Sequence, residues 1–194
     1  MKQLYAFDFD GTLTTKDSLL AFIRYAKGTH GFLWGFLRHA HLLVLMKLGL
    51  YPNWKAKERV FSYFFKGMPI EVFDTLCRQF AADNRELLRP EGVKTLQQAQ
   101  AGGAEVLIVS ASIDNWVQPF FPSVKVVGTQ VEVKNGHLSG QFLTKNCYGQ
   151  EKVNRILALY PDRNEYRLIA YGDSRGDKEL LAFADEGHYK PFRL

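Results

Sequence analysis

The sequence predicts an α/β fold, in which a Rossmann-like parallel sheet carries helices on both faces and a helical cap is inserted after the first strand. From residue 89 onward, β-branched and aromatic runs alternate with segments of helical periodicity, a pattern typical of parallel sheets. Between the first strand and this region, the apolar residues recur mainly at helical spacing. We therefore expect an α/β core formed by residues 1–14 and 89–194, and a helical cap formed by residues 15–88.

The predicted strands are short apolar runs that end at glycine or at polar residues. They cover residues 4–9, 105–109, 124–127 and 168–171, with a hairpin over 131–142 that turns at Asn135-Gly136. The predicted helices have apolar residues three and four positions apart, and some have a capping residue or a terminating glycine. Helical spacing marks residues 19–23, 60–65, 73–80, 93–101, 153–160 and 180–183, and two of the helices are predicted to begin near residues 113 and 150. Asp17 or Ser18 is the expected N-cap of the first helix.

Composition excludes several classes of protein. Hydrophobic residues make up 46% and charged residues 23% of the 194 positions, which are ordinary values for a globular chain. The net charge of +5 favours anionic ligands, but no basic stripe interleaved with aromatic residues indicates nucleic acid. Two cysteines, Cys77 and Cys147, are too few for a disulfide scaffold. The N-terminal residues do not resemble a signal peptide, so we expect a cytoplasmic protein.

Two pairs of carboxylates follow predicted strands. Asp8 and Asp10 end the first strand, and Asp173 and Asp177 follow the last predicted one. The carboxyl ends of parallel strands meet at one edge of a sheet, and carboxylate oxygens are the ligands that Mg²⁺ prefers. We expect Asp8 and Asp173 to hold a divalent cation together with the main-chain carbonyl of Asp10. Asp177 begins the next helix, where either capping or support of the site would explain it.

A hydroxyl and a lysine are candidates for binding phosphate. Ser110 ends a buried strand before a predicted helix, where a hydroxyl and main-chain N–H groups form an anion-binding corner, although a simple cap is an alternative. Lys152 lies in the first turn of a predicted helix, where a cation opposes the helix dipole unless an anion lies close by. Lys145 is a rival for the same role, but we favour Lys152.

With these residues placed, the chain resembles the haloacid dehalogenase superfamily of phosphohydrolases. The matching motifs occur in the order of that superfamily, and they are Asp8-Phe9-Asp10-Gly11-Thr12, Ser110-Ala111-Ser112, Lys152 and Gly172-Asp173-Ser174-Arg175-Gly176-Asp177. The helical insertion resembles the phosphoserine phosphatase-like branch (subfamily IB). Within that branch, Lys66-Gly67-Met68-Pro69, Leu88-Arg89-Pro90 and the Asn135-Gly136 hairpin look most like phosphatidylglycerophosphatase-type enzymes.

This resemblance implies a role for each matching residue. Asp8 would be the nucleophile that forms an aspartyl-phosphate, and Asp10 the general acid and base. The phosphate would be held by four residues, which are Gly11, Ser110, Ala111 and Lys152. Mg²⁺ would lie on Asp8, Asp173 and the Asp10 carbonyl, with Asp177 in support. A dehalogenase needs no acid for a halide leaving group, so Asp10 favours a phosphatase.

The substrate implied is a small phosphorylated metabolite or a lipid phosphate. Two alternatives remain at this point. One is a phosphoryl mutase with the same chemistry. The other is a non-catalytic protein on the same scaffold that binds a phospholigand or associates with a membrane, although such a protein has no use for the proton of Asp10.

Residues 32–51 form an apolar stretch of twenty residues, long enough for a helix to span a bilayer. Arg38 and Lys47 disfavour a membrane span, because a charge near the centre of a spanning helix is costly. Two interpretations remain open. The stretch is a buried helix or hairpin of the cap, bent at Gly35 or Gly49, or it is an exposed patch that makes peripheral contact with a membrane.

Overall fold

The alternation of buried side chains along two strands explains why the sheet is covered on both faces. A computed structural model describes residues 2–193. Strand β1 (Lys2–Phe7) directs Leu4 and Ala6 to one hydrophobic cluster and Phe7 to the other, and strand β6 (Tyr166–Gly172) alternates in the same way. Both strands therefore lie at the centre of the fold, as the predicted parallel sheet requires.

The sheet contains five parallel strands in the order β3-β2-β1-β6-β7, which confirms the predicted fold class. Its three other strands lie on either side of β1 and β6, and they are β2 (Glu105–Ile113), β3 (Lys125–Thr129) and β7 (Glu186–Tyr189). Strand β7 was not predicted. Strand β2 extends beyond its predicted end at Val109, because the buried hydroxyls of Ser110 and Ser112 have hydrogen-bond partners and do not terminate it.

Helices pack on both faces of the sheet. Helices α7 and α8 contribute Ile156 and Leu180 to the cluster on one face, and α5 contributes Leu96 to the other. The helices of the region after residue 89 are α5 (Pro90–Ala101), α6 (Asp114–Val117), α7 (Gln150–Leu159) and α8 (Lys178–Phe183). The predicted starts of α6 and α7, near residues 113 and 150, are confirmed.

Four consecutive helices lie between β1 and β2. They are α1 (Ser18–Arg38), α2 (Ala40–Lys47), α3 (Asn53–Phe65) and α4 (Ile70–Asp83). Asp17 caps α1 through a 3.1 Å bond from the N–H of Leu20, as predicted. Buried aromatic rings hold the helices together: Phe22 on α1 packs against Phe73 on α4, and against Trp116 of α6 at 5.0 Å. The hydrophobic core is therefore continuous from these helices to the sheet.

A two-stranded antiparallel hairpin, β4 (Val131–Lys134) and β5 (His137–Phe142), turns at Asn135-Gly136 as predicted. Both turn residues have positive φ, 51° and 75°, which suits asparagine and glycine. The hairpin packs against α3, where the N–H of Phe142 donates to Glu58 at 2.8 Å. Its β5 strand also bonds to the turn after α3, from the N–H of Gly67 to the carbonyl of Leu138.

Residues 32–51 do not form the buried helix that was one of the two predicted interpretations. Gly35 is the only residue of this stretch that is buried, because its missing side chain leaves room for the ring of Phe64. The chain breaks at His39, between α1 and α2, and not at Gly35. The other predicted bend, Gly49, lies between α2 and α3 and has a φ of +73°. Helix α1 is also kinked at Gly28, where φ is +68°. Among the described residues 2–193, no helix combines the length and the apolar character needed to cross a membrane.

Candidate active site

A cavity of about 660 Å³ lies at the carboxyl ends of β1, β2 and β6. It brings together every residue that the sequence singles out as a candidate for catalysis, phosphate binding or metal binding. These residues are Asp8, Asp10, Gly11, Ser110, Ala111, Lys152, Asp173 and Asp177. Lys145, the rival of Lys152, is not among the lining residues.

Asp8 follows β1 directly and is fixed by its neighbours. Its N–H donates to the carbonyl of Tyr171 at 2.9 Å, which continues the pairing of β1 with β6. Its carboxylate accepts a 3.2 Å bond from the hydroxyl of Thr12 and a 2.6 Å bond from the ammonium of Lys152. Burial raises the pKa of Asp8 to about 7, and the attraction of Lys152 opposes that rise.

Lys152 bridges two carboxylates. Its Nζ lies 2.6 Å from an oxygen of Asp8 and 2.6 Å from an oxygen of Asp177, and all three side chains are buried. Burial alone would lower the pKa of Lys152, but Asp8 and Asp177 together raise it above its usual value. Lys152 is therefore a cation, and its position in the first turn of α7 is explained by the anions beside it.

Asp177 caps the turn at residues 175–177 and also binds Lys152. One oxygen accepts the bond from Lys152, while the other accepts from the N–H groups of Asp173 and Ser174 at 3.1 and 3.0 Å. The Ser174 hydroxyl also donates to it at 2.8 Å. Burial, the largest influence, raises the pKa of Asp177, but Lys152 and these donors lower it overall. Asp177 therefore closes the turn at residues 175–177 through a capping box, but its side chain makes no capping bond to α8. Its support of the site stays a prediction.

Asp10 is held by the start of α1 and by the end of β2. Its carboxylate accepts a 2.7 Å bond from the N–H of Ser18 and a bond from the hydroxyl of Ser112. The two serine hydroxyls lie 3.0 Å apart, and Trp116 donates its indole N–H to Ser18 at 3.0 Å. Burial raises the pKa of Asp10, and the hydrogen bonds from Ser112 and Ser18 oppose that rise. A raised pKa favours the protonated form, which is the form that a general acid needs.

Gly11 is the residue where Asp173 approaches the main chain most closely. Its φ is +79°, and a Cβ at this position would collide with the Asp173 carboxyl group. Ser110 is buried, and its hydroxyl oxygen accepts a 3.1 Å bond from the N–H of Ser112. These contacts hold the loop after β1 and the end of β2 around the same cavity.

Three carboxylates form a group that fits a divalent cation. Asp8, Asp173 and Asp177 each offer an oxygen, and these oxygens lie within 4.8 Å of one another. One oxygen of Asp173 is buried and has no hydrogen-bond partner among the described residues, while its other oxygen accepts a bond from Arg193. An orphaned buried carboxylate oxygen and an oxygen-only donor set are what a Mg²⁺ site requires.

Lys57 is a candidate that sequence reasoning missed. It lies on α3, and its ammonium donates to the main-chain carbonyl of Ala111 inside the cavity. Burial lowers its pKa, while Asp10 and Asp17 raise it. A signal was present in the sequence, since Lys57 is next to Ala56 and three residues before Val60, within the buried stripe of α3.

Ser18, Ser112 and Arg193 were missed as well. Ser18 was predicted only as an alternative cap of α1, Ser112 only as part of a motif, and Arg193 had no role. Each becomes relevant through a contact with a distant residue, so local patterns offered no signal for it.

The helices between β1 and β2 contribute most of the large apolar side chains that line the cavity. Six of them come from α1, α2 and α3, and they are Leu19, Leu20, Phe36, Leu43, Met46 and Val60. The same helices also contribute Lys47 and Lys57, so the cavity has an apolar side with cations beside it.

Comparison with known proteins identifies the family. The family model described as haloacid dehalogenase-like hydrolase matches residues 5–182. The chain is 38% identical to Protein CicA of Caulobacter vibrioides (strain NA1000 / CB15N) over an alignment of 197 residues. This alignment covers 98% of the present chain and 86% of Protein CicA.

Solved structures share the fold. A protein of unknown function from Bordetella pertussis Tohama I superposes with a TM-score of 0.81 at 20% identity, over 95% of this chain and 87% of that chain. A phosphoserine phosphatase from T. onnurineus superposes with a TM-score of 0.62 at 17% identity, over 97% of this chain and 84% of that chain. With the family model spanning most of its length, the chain belongs to the haloacid dehalogenase-like hydrolases.

Proposed function

We propose that the protein is a Mg²⁺-dependent phosphomonoester hydrolase that acts through an aspartyl-phosphate on Asp8. The observation that carries this proposal is the separation of two buried carboxylates into different environments. Asp8 is paired with Lys152, whereas Asp10 contacts Ser18 and Ser112. Burial raises the pKa of both carboxyl groups, but only Asp8 has the Lys152 ammonium bonded to it, which favours its ionised form. Asp8 is therefore suited to be the nucleophile, and Asp10 to be the proton donor.

The reaction has two displacements. In the first, an oxygen of Asp8 forms a bond to phosphorus as the bond to the leaving oxygen breaks, and Asp10 donates its proton to that oxygen. In the second, Asp10 takes a proton from water, the water oxygen attacks phosphorus, and the bond to Asp8 breaks to release phosphate. Asp10 is therefore restored to its protonated form at the end of the cycle.

The charge of the phosphoryl group is balanced by the residues around it. Lys152 offers an ammonium beside Asp8, and Gly11, Ser110 and Ala111 line the cavity where phosphate oxygens would lie. The residues that would hold Mg²⁺ are Asp8, Asp173 and the Asp10 carbonyl, with Asp177 in support. When bound, Mg²⁺ neutralises the negative charge that develops on the phosphoryl oxygens.

The substrate is a phosphorylated small metabolite or a lipid phosphate, and the protein acts in the cytoplasm, either free or in peripheral contact with a membrane. The resemblance to the phosphoserine phosphatase-like branch supports the first class, and the resemblance to phosphatidylglycerophosphatase-type enzymes supports the second. The apolar side of the cavity suits a substrate with an apolar body. A phosphoryl mutase or a non-catalytic phospholigand-binding protein is the alternative.

Phosphate release from an aryl phosphate, measured with Mg²⁺ and with a chelator, tests the proposal. We expect turnover with Mg²⁺ and its loss with the chelator. Absence of turnover under both conditions, with a folded protein, would favour the non-catalytic alternative. A screen of phosphomonoesters and lipid phosphates then separates the two substrate classes, and transfer of phosphate within a sugar phosphate, without release, would indicate a mutase.

A further inference from the structure

The helices between β1 and β2 expose an unusual amount of apolar surface. More than half of the exposed large apolar side chains in the described part of the chain lie between residues 33 and 54. They are Leu33, Trp34, Leu37, Val44, Leu45, Leu48, Leu50 and Trp54. Together they form what we call the 33–54 surface. Leu37, Leu48 and Leu50 are 68%, 66% and 72% exposed, so burial in the core does not explain them.

The exposed residues lie on one side of each helix. On α1, Leu33, Trp34 and Leu37 are exposed, while Phe32 and Phe36 stack on each other with ring centroids 4.5 Å apart and pack towards the core. On α2, Val44 and Leu48 are exposed at a spacing of one helical turn. An ordinary surface helix would carry polar side chains at such positions.

Charge around the 33–54 surface has a single sign. Residues 18–57 contain six lysines and arginines and no aspartate or glutamate, so this segment accounts for the whole net charge of +5. Four of these cationic side chains are exposed, and they are Arg24, Arg38, Lys47 and Lys55. Exposed apolar residues and unopposed cations on the same helices are the combination that binds an anionic lipid surface.

We propose that the 33–54 surface docks on an anionic lipid bilayer. The leucines and valine enter the boundary between headgroups and acyl chains, and the cations contact lipid phosphates. Trp34 and Trp54 lie near the two ends of the surface, and tryptophan is enriched at the depth of the headgroups. A docked surface explains the exposed leucines without a span, since Arg38 and Lys47 stay at the level of the headgroups.

Helix α2 connects this docking surface to the candidate active site. Val44 and Leu48 are exposed, whereas Leu43 and Met46 of the same helix line the cavity with the catalytic carboxylates. A docked protein therefore has its cavity one helix away from the bilayer. This arrangement favours a lipid phosphate over a soluble metabolite as the substrate. The inference about the substrate rests on the proposed function, whereas the docking itself does not.

Flotation with lipid vesicles tests the docking. The full chain is mixed with vesicles of phosphatidylcholine alone, or of phosphatidylcholine with about one third phosphatidylglycerol, at low and at high salt. We expect flotation with the anionic vesicles at low salt, and weaker flotation at high salt or with neutral vesicles. No flotation with anionic vesicles at low salt, or equal flotation with both compositions, would overturn the proposal.

Two variants locate the surface. In Leu37→Gln/Leu48→Gln/Leu50→Gln, which changes no residue of the cavity wall, we expect partition into anionic vesicles to fall at least about tenfold. The matched control is Val72→Gln/Val133→Gln, two residues that are 49% and 41% exposed outside the segment, and it should float like the wild type. Equal flotation of the triple variant and the wild type would overturn the assignment. So would a wild-type dimer that the triple variant converts to a monomer, because the surface would then bind a second copy.

The two proposals fail separately. Asp8→Asn should float like the wild type although it lacks turnover, and the triple variant should hydrolyse a soluble aryl phosphate at the wild-type rate. If the wild type floats but has no phosphatase activity, the docking proposal is retained and the proposed function is rejected. If it has phosphatase activity but does not float, the proposed function is retained and the docking proposal is rejected.

Discussion

The main-chain N–H of Ser18 donates a 2.7 Å hydrogen bond to the carboxylate of Asp10. Ser18 is the first residue of α1, so this helix begins on the candidate proton donor itself. Non-helical dihedral angles at Gly28 separate the first part of α1 from the part that leads to the 33–54 surface. A shift of the part before Gly28 would change the hydrogen bonding of Asp10, and hydrogen bonding is one of the factors that set the pKa of a carboxyl group. Five predictions concern the candidate site and the helices beside it.

Asp8→Asn should abolish turnover, since the amide is nearly isosteric but cannot attack phosphorus. We expect less than about 1% of the wild-type rate in a steady-state assay, with an unchanged circular dichroism spectrum. Glu91→Gln, an exposed carboxylate on α5, is the control and should keep full activity. A residual rate of more than a few per cent would exclude Asp8 as the nucleophile.

Asp10→Asn should discriminate between leaving groups. An alkyl phosphate needs a proton on its leaving oxygen, whereas an aryl phosphate leaves largely without one. Single-turnover kinetics, which isolate the formation of the aspartyl-phosphate, should show a loss at least about tenfold larger for the alkyl substrate. Equal losses for the two substrates would contradict general-acid assistance by Asp10.

Asp173→Asn should weaken Mg²⁺ binding, because it removes the charge of a buried carboxylate, one oxygen of which has no hydrogen-bond partner within residues 2–193. Thermal unfolding is the measurement, since a ligand at about 100 times its Kd stabilises the folded state by about 2.7 kcal/mol. We expect Mg²⁺ to raise the Tm of the wild type and of Glu91→Gln, and to leave that of Asp173→Asn nearly unchanged. An equal rise in all three proteins would place the metal elsewhere.

Lys57→Met should lower kcat/KM by about tenfold or more, because it removes an ammonium that reaches the cavity from α3 but keeps the length of the side chain. Lys55→Met, two residues earlier on the same helix and exposed, is the matched control and should leave kcat/KM unchanged. If the two variants behave alike, Lys57 has no part in binding the substrate.

Gly35→Ala should destabilise the helices between β1 and β2, because a Cβ at residue 35 would lie 2.0 Å from the ring of Phe64. Overpacking of this kind costs about 1–3 kcal/mol, which urea unfolding can measure. Gly31→Ala on the same helix meets only Lys27 at 3.2 Å and should be neutral or slightly stabilising. Similar stabilities for both variants would show that Phe64 moves aside without cost.

The sequence predicted those parts of the site that follow from local pattern. Asp8, Ser110 and Asp173 each come after or near the end of an apolar strand, so parallel pairing alone brings them to one edge. The α/β fold was predicted correctly for this reason. The position of Lys152 predicted a nearby anion but did not identify it, because its partners Asp8 and Asp177 lie 144 and 25 residues away along the chain.

The rest depended on contacts that no local pattern contains. Lys57 and Ser18 reach the cavity from helices whose orientation is set by packing, such as that of Phe22 against Trp116. Residues 32–51 were ambiguous because apolar side chains lie nearly all round their helices, and sequence alone does not show which side a neighbour covers. The division into core and cap stays a prediction.

The central position of β1 has a consequence for how the protein is made. Strand β1 pairs with β2 on one side and with β6 on the other, and it is translated before both of them. Asp8 meets Lys152 across a separation of 144 residues. Contacts of such long range form slowly. Tyr5 and Phe7 of the nascent chain therefore lack their final neighbours on β6 while the intervening helices are synthesised. Chaperones that shield apolar segments during translation would act on this first strand.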